Sequence, residues 1–199
     1  MSPDKERFQK QVFDGRSFEG RTVTGIFGEC SFRNADFTDC FLEGCEFRDS
    51  VFTNARFNSA HIERCSFTGC SLAGANLFLA VLVSSRFLGA DFSGASLGGL
   101  TISDCDLSYS VFNYADLAGM DFGKSILRGA SFRGCRLGKA DFTGCDLQDA
   151  VFTGADLTEA ILRECPSGGA DFTDAVVAGA SADVGFALYY AAFRGLKIE

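Results

Sequence analysis

The chain has 199 residues with 22 Phe, 23 Gly, two Pro and no Trp, a length that suits one domain and a bias that calls for a repetitive explanation. Its formal net charge of −8 speaks against direct nucleic-acid binding, because phosphate contacts need Lys and Arg. No apolar run approaches the roughly 18 residues of a membrane span, and the charged opening MSPDKERFQKQ is unlike a signal peptide, so a soluble cytosolic protein is expected.

Residues 1–23 carry apolar side chains at Phe8, Phe13, Phe18 and Val23, but Glu6, Gln11, Arg16 and Arg21 stand two residues before them. Groups of that size and charge cannot enter a narrow interior. The segment therefore reads as an N-terminal cap or first coil with a wet end, as terminal repeats of solenoids usually are. From Val23 to Phe27 the step is four, and the register resets at Thr24 and Gly25.

From Phe27 to Leu162 every fifth residue is Phe, Leu or Ile, 28 in succession. The residue two before each is small, with only Leu100 and Met120 larger than Cys. The stretch ADFTGCDLQDAVFTGADLTEA, from Ala140 to Ala160, shows the rule in one place. A period of five is neither the 3.6 of a helix nor the 2 of a strand, so it is an architecture in its own right. Two inward residues of unequal size and three outward ones suit a chain that turns a corner once per unit. Four units close a square coil, and stacking such coils at about 4.8 Å gives a rod roughly 40 Å long. Residues twenty apart then share a column, as in Phe32, Phe52, Leu72, Phe92, Phe112, Phe132, Phe152 and Phe172. The Phe of this column are the expected structural core, at crystal-like density.

All nine Cys fall in the small slot, interchangeable with Ala and Ser, and read as buried free thiols. Zinc is disfavoured because no C-x₂-C pair occurs and there is one His. The apolar run Leu77 to Val83 breaks the polar-outside rule at Phe78, Leu79, Val81 and Val83, as a greasy face or as a contact patch. No metal, cofactor or catalytic residue is expected, since the lone His61 sits on an outward slot and no Gly-rich phosphate loop is present.

After Leu162 the beat falters from Cys165 to Gly169, with Ser167 in an inward slot, and recovers at Phe172 and Val177, which suggests a frayed last coil. Residues 1–180 thus form the solenoid and 181–199 a C-terminal helix and tail. Asp183 is a plausible N-cap, and Gly195 a stop signal. Phe186, Leu188, Tyr189, Tyr190 and Phe193 place apolar groups on more than one side of the helix. Such a helix needs two surfaces to bury against, and the end of the rod supplies one. Homodimerisation through the C-terminus is expected, with Leu196 and Ile198 contributing; a capping helix in a monomer is the alternative.

The acidity is uneven: residues 1–86 are nearly balanced at −1, whereas residues 87–183 carry −8. A straight acidic rod invites comparison with duplex DNA, which has one negative charge per about 1.7 Å. Any mimicry rests on local stripes such as Asp106, Asp116, Asp121, Asp141, Asp146 and Asp156. The plainer reading is that these acids fill the solvated slot of the repeat.

The A(D/N)(L/F)xx beat resembles that of pentapeptide repeat proteins over about Thr24 to Val177, and the resemblance implies an all-β, right-handed quadrilateral β-helix. The segment GLTISDCDLSYSVFNYADLAGMDF, Gly99 to Phe122, with Leu100 and Met120 in small slots, looks like the middle of the MfpA and Qnr type of fluoroquinolone-resistance protein. The tail from Ala182 to Ile198 is similar to their dimerisation helix. This resemblance implies a dimeric DNA mimic that binds DNA gyrase (GyrA/GyrB), and topoisomerase IV as a further target, modulating it or protecting it from fluoroquinolone-type poisons. The alternative is a non-enzymatic interaction scaffold with another partner, using Phe78 to Val83 or Tyr109 and Tyr114.

Overall fold

The five-residue beat becomes a corner because the residue two past each central side chain is left-handed. At every such position from 29 to 179, φ lies between +47° and +78°. The computed structural model describes residues 5–197. It is a β-solenoid of about nine turns with one short C-terminal helix, the quadrilateral coil that the beat implies.

The corners are of two kinds. In a closed corner the central carbonyl accepts from the amide three residues on, as Phe32 does from Ala35 at 3.1 Å, and the left-handed Asn34 makes this a type II turn. In an open corner that bond is missing. In four open corners the small-slot amide donates instead to a side chain twenty residues on: Cys30 to Ser50 Oγ at 3.1 Å, Cys45 to Cys65 Sγ at 3.3 Å, Cys65 to Ser85 Oγ at 3.0 Å and Cys105 to Ser125 Oγ at 3.2 Å. The closed corners Phe32–Ala35 and Phe37–Cys40 carry Ala55 and Ala60 at the equivalent place. The Cys65 thiol and the hydroxyls of Ser50, Ser85 and Ser125 are therefore more than filler, because a buried amide without a partner costs about 1–3 kcal/mol.

Near open corners the backbone extends into short strands: β1 (Arg7–Gln9), β2 (Thr22–Val23), β3 (Ile26–Gly28), β4 (Phe41–Glu43), β5 (Glu46–Arg48), β6 (His61–Glu63), β7 (Ser66–Thr68), β8 (Val81–Val83), β9 (Thr101–Ser103), β10 (Ile161–Leu162) and β11 (Ser181–Ala182). All pairings are parallel, in the orders β1-β3-β5-β7, β2-β4-β6-β8-β9 and β10-β11. Phe27 lies beneath Phe47 and Phe47 beneath Phe67, the register of twenty. The first coil is one residue shorter, pairing Phe8 with Phe27 and Thr22 with Phe41, as the step of four requires.

All 28 central side chains from Phe27 to Leu162 are buried. Rings in one column stack nearly parallel, Phe32 on Phe52 with centroids 4.8 Å apart and Phe132 on Phe152 at 5.1 Å, separations that suit offset stacking. Rings in neighbouring columns meet edge to face, as Phe132 and Phe142 do at 5.9 Å and 79°. Both are the arrangements the aromatic quadrupole prefers. Phe52, Phe92, Phe112 and Phe172 complete the expected column. At the N-terminal end Phe8, Phe13, Phe18 and Val23 are half-buried, and Glu6, Gln11, Arg16 and Arg21 are exposed.

The coil around Pro166 is not frayed. Pro166 still accepts from Leu147 at 2.7 Å and Gly168 from Asp149 at 3.0 Å, and Ser167 is buried. The ladder loses only the rung that a residue without an N–H cannot make. Above it, helix α1 (Val184–Phe193) begins at Asp183, whose carboxylate accepts from the amides of Phe186 at 2.9 Å and Glu164 at 2.6 Å. The helix is thereby tied to its cap and to the last coil at once. It ends at the left-handed Gly195, φ +85°.

Candidate partner-binding surface

The residue before each central side chain projects outward, and parallel pairing fixes which of these share a face. Asp121 and Asp141 lie directly on one another. Asp106 and Asp146 share the next face but are separated by Ile126, and Asp116 and Asp156 share another, separated by Arg136. The six acids are thus not one stripe. They occupy three contiguous faces, with the Asp121–Asp141 face in the middle. The fourth face carries Val111, Ser131 and Val151 between Asp91 and Asp171.

Each of the six carboxylates also serves the fold. Asp106, Asp116, Asp121, Asp141, Asp146 and Asp156 accept from the amide two residues on, at 2.7–3.3 Å, which fastens the entry to the corner. For Asp156 the bonds from the Thr158 hydroxyl and amide hold the carboxyl below its ordinary range. Charge neutralisation differs among the faces. Arg86 reaches Asp106 at 3.4 Å, Arg128 reaches Asp146 at 2.8 Å and Arg136 reaches Asp116 at 3.1 Å. Among the described residues no cation pairs with Asp121, Asp141 or Asp156, and of these Asp121 and Asp141 share a face. The two stacked acids are therefore the uncompensated centre of the acidic half.

The residues expected at a dimer seam divide into two sets. Phe186 is buried, and Phe186, Tyr189, Tyr190 and Phe193 surround Phe172 edge-on at 5.4, 6.5, 5.7 and 6.1 Å. Tyr189 also donates from its hydroxyl to the Ala170 carbonyl at 2.7 Å. Leu188 and Leu196, together with Val184, are turned outward and exposed. Ile198 lies outside the described residues.

His61 stacks on Phe41 at 4.6 Å and stands 3.5 Å from Glu63. Among the described residues no His, Cys, Asp and Glu side chains gather as a metal set, and no helix is long and apolar enough to cross a membrane. Phe78 and Leu79 are exposed at 48% and 51%, whereas Val81 and Val83 are half-buried in β8. Tyr109 and Tyr114 occupy left-handed corners at φ +58° and +63° and lie against Gly129 and Gly134 of the next coil, where a Cβ would stand 2.6 and 2.7 Å from the rings.

The sequence reading missed an opening in the ladder. Six successive rungs are lacking, those that would join Gly94, Ala95, Leu97, Gly99, Leu100 and Ile102 to Asn113, Asp116, Ala118 and Asp121. The signal was present in Leu100 and Met120. They share the column Ala60, Ala80, Leu100, Met120, Ala140, and two oversized side chains one above the other hold the coils apart.

The description "Pentapeptide repeats" fits eight copies here, across residues 30–69, 60–99, 102–138 and 125–164. The chain belongs to the pentapeptide repeat family. Among solved pentapeptide repeat structures it is similar to a trypsin-treated form of QnrB1, a plasmid-mediated fluoroquinolone resistance protein, with TM-score 0.70, 23% identity and 98% of each chain covered. Full-length QnrB1 gives 0.60 and 22%, covering 96% of this chain and all of that one. HetL, a pentapeptide repeat protein involved in heterocyst differentiation regulation from the cyanobacterium Nostoc, gives 0.56 and 20%, with 86% and 87% covered. At these identities the likeness is one of fold. No curated protein sequence matches the chain.

Proposed function

We propose that this pentapeptide repeat protein binds DNA gyrase, with topoisomerase IV as a further target, by presenting its acidic half as a mimic of duplex DNA, and modulates the enzyme or protects it from fluoroquinolone-type poisons. The observation that carries the reading is the arrangement of charge: the six acids from Asp106 to Asp156 lie on three contiguous faces, with the unpaired Asp121 and Asp141 at their centre. Residues 87–183 carry −8. Over five coils of about 4.8 Å that is roughly one net charge per 3 Å, within a factor of two of the duplex value. A second copy joined at the C-terminal helix would continue the acidic surface across the seam. The likeness to QnrB1 over 98% of both chains supplies a scaffold of the same shape.

The test is a supercoiling assay with purified gyrase, with and without a fluoroquinolone. Replacing Asp121 and Asp141 by Asn keeps the oxygen that accepts the corner amide and removes the charge. The gyrase effect should fall more in this variant than in one with the paired Asp116 and Asp146 changed. No effect of the unaltered protein at micromolar concentration would favour a scaffold with another partner, a reading supported by the exposed Phe78 and Leu79.

A further inference from the structure

A β-solenoid normally satisfies the backbone groups of one coil with the next, and here a run of six successive rungs is missing at one place. Between Gly94–Ile102 and Asn113–Asp121 the amides of Leu97, Gly99 and Ile102 on one lip, and of Asp116 and Asp121 on the other, make no rung, and the facing carbonyls are equally free of one. Rungs resume on both sides, from Phe92 to Val111 at 2.9 Å and from Asp104 to Gly123 at 3.1 Å. At the second of these the coils close tightly, since a Cβ on Gly123 would stand 2.6 Å from the Ile102 carbonyl. The feature is a slot with two defined ends. It encloses about 480 Å³, lined by Leu97, Leu100, Ile102, Leu117, Met120 and the backbone of the corners. That volume falls within the range of ligand clefts. Ala95 and Ala115 beside it are half-exposed, whereas Ala55, Ala75, Ala130 and Ala155 in equivalent slots are fully buried.

The rim is built for backbone approach. The four corner residues at the mouth are Gly98, Gly99, Ala118 and Gly119, so no large side chain shields the free amides and carbonyls. Immediately below the mouth stand the exposed Phe78 and Leu79, with the Leu79 side chain lying against Gly99 and the Phe78 ring against Gly98. On the other side Asp121 is exposed and unpaired, with Asp141 behind it. Unpaired strand edges accept a further strand through main-chain bonds, while neighbouring side-chain sites select its sequence.

We infer that this slot is a docking site for an extended peptide segment of a partner protein, alternating apolar with Lys or Arg residues. Its backbone pairs with the open lips, its apolar side chains rest on Phe78 and Leu79, and its cation is held by Asp121. The inference stands on the slot alone and holds whichever protein the acidic faces engage.

The experiment uses the full chain and a fluorescent eight-residue peptide alternating Val and Lys. Saturable binding is expected in fluorescence polarisation. Affinity should fall about tenfold or more on N-methylation of alternate peptide amides, on exchange of its Lys for Glu, and in the protein variants Leu79→Ala and Asp121→Asn. In amide exchange by NMR, Leu97, Gly99 and Ile102 should exchange fast in the free protein and slow down with peptide. The double variant Leu100→Ala, Met120→Ala, which restores the residue found above and below in that column, should protect these amides without peptide and abolish binding. Absence of binding, undiminished binding of the N-methylated peptide, or slow exchange of those amides in the free protein would each overturn the inference.

Discussion

The amide of Cys65 donates to the hydroxyl of Ser85, 3.0 Å away and twenty residues on. Ser85 in turn donates to the Val83 carbonyl at 2.8 Å, so one side chain completes an open corner in the coil below and fastens its own. Both groups are buried. Ser85→Ala leaves the Cys65 amide without a partner and should cost about 1–3 kcal/mol. Ser85→Cys keeps an acceptor and should cost less. Urea denaturation monitored by circular dichroism distinguishes the two, and equal midpoints for Ser85→Ala and the unaltered protein would refute the pairing.

The square coil, its register of twenty and the core column were legible in the sequence because one steric rule recurs without a slip from Phe27 to Leu162. The choice among Ala, Ser and Cys in the small slot was not, because size alone treats them as equal. At some positions the difference is whether the corner twenty residues earlier closes its own hydrogen bond, as with Ser85 above Cys65 and Ala55 above Ala35, whereas Ser110 and Cys135 stand above corners that are closed. The acids were found but not placed. Asp116 and Asp121 are five apart in sequence and lie on different faces, whereas Asp121 and Asp141 are twenty apart and pair in the ladder on one face. Leu100 and Met120 were visible as exceptions to size, but their consequence, six missing rungs, depends on their stacking.

The thiols should be chemically silent in the native state. Burial pushes Cys70, Cys145 and Cys165 up to about 12 and Cys135 up to about 11. All nine Cys are buried and unpaired. Because the thiolate is the reactive form, alkylation by iodoacetamide near pH 8 should leave the folded protein almost unlabelled, whereas denaturation should expose all nine. Mass spectrometry counts the adducts. Rapid modification of the native chain at Cys70 or Cys145 would show that the column is not closed there.

Acid should loosen the C-terminal helix through Asp183. The Phe186 and Glu164 amides donate to its carboxylate and hold its pKa below the ordinary 3.8. A carboxyl whose folded pKa is depressed contributes stability fully above its unfolded value, and loses it as the pH falls through the lower folded value. Docking of α1 should therefore be unchanged by pH well above 3.8 and weaken only below it. The Phe186 amide proton, followed by NMR, reports this directly. In Asp183→Asn that signal should lose its titration, and an unaltered titration would assign it to another group.

Helix α1 is apolar on all sides, a pattern that calls for burial all round. Its inner side is occupied, since Phe186, Tyr189, Tyr190 and Phe193 cluster about Phe172. Val184, Leu188 and Leu196 remain outward, exposed by 74%, 46% and 63%. Val184 and Leu188 stand one helical turn apart and Leu196 follows just beyond the end of the helix, where a second copy of the same helix would supply the missing partner through two-fold symmetry. Leu188→Asp combined with Leu196→Asp should give monomers in sedimentation while leaving the Phe186 contact and the solenoid intact. Removing everything after Asp183 should also give monomers, at the cost of the Phe186 contact. If the doubly charged variant still sediments as a dimer, the seam lies elsewhere on the column, and if the unaltered protein is monomeric at tens of micromolar, the outward leucines have another partner.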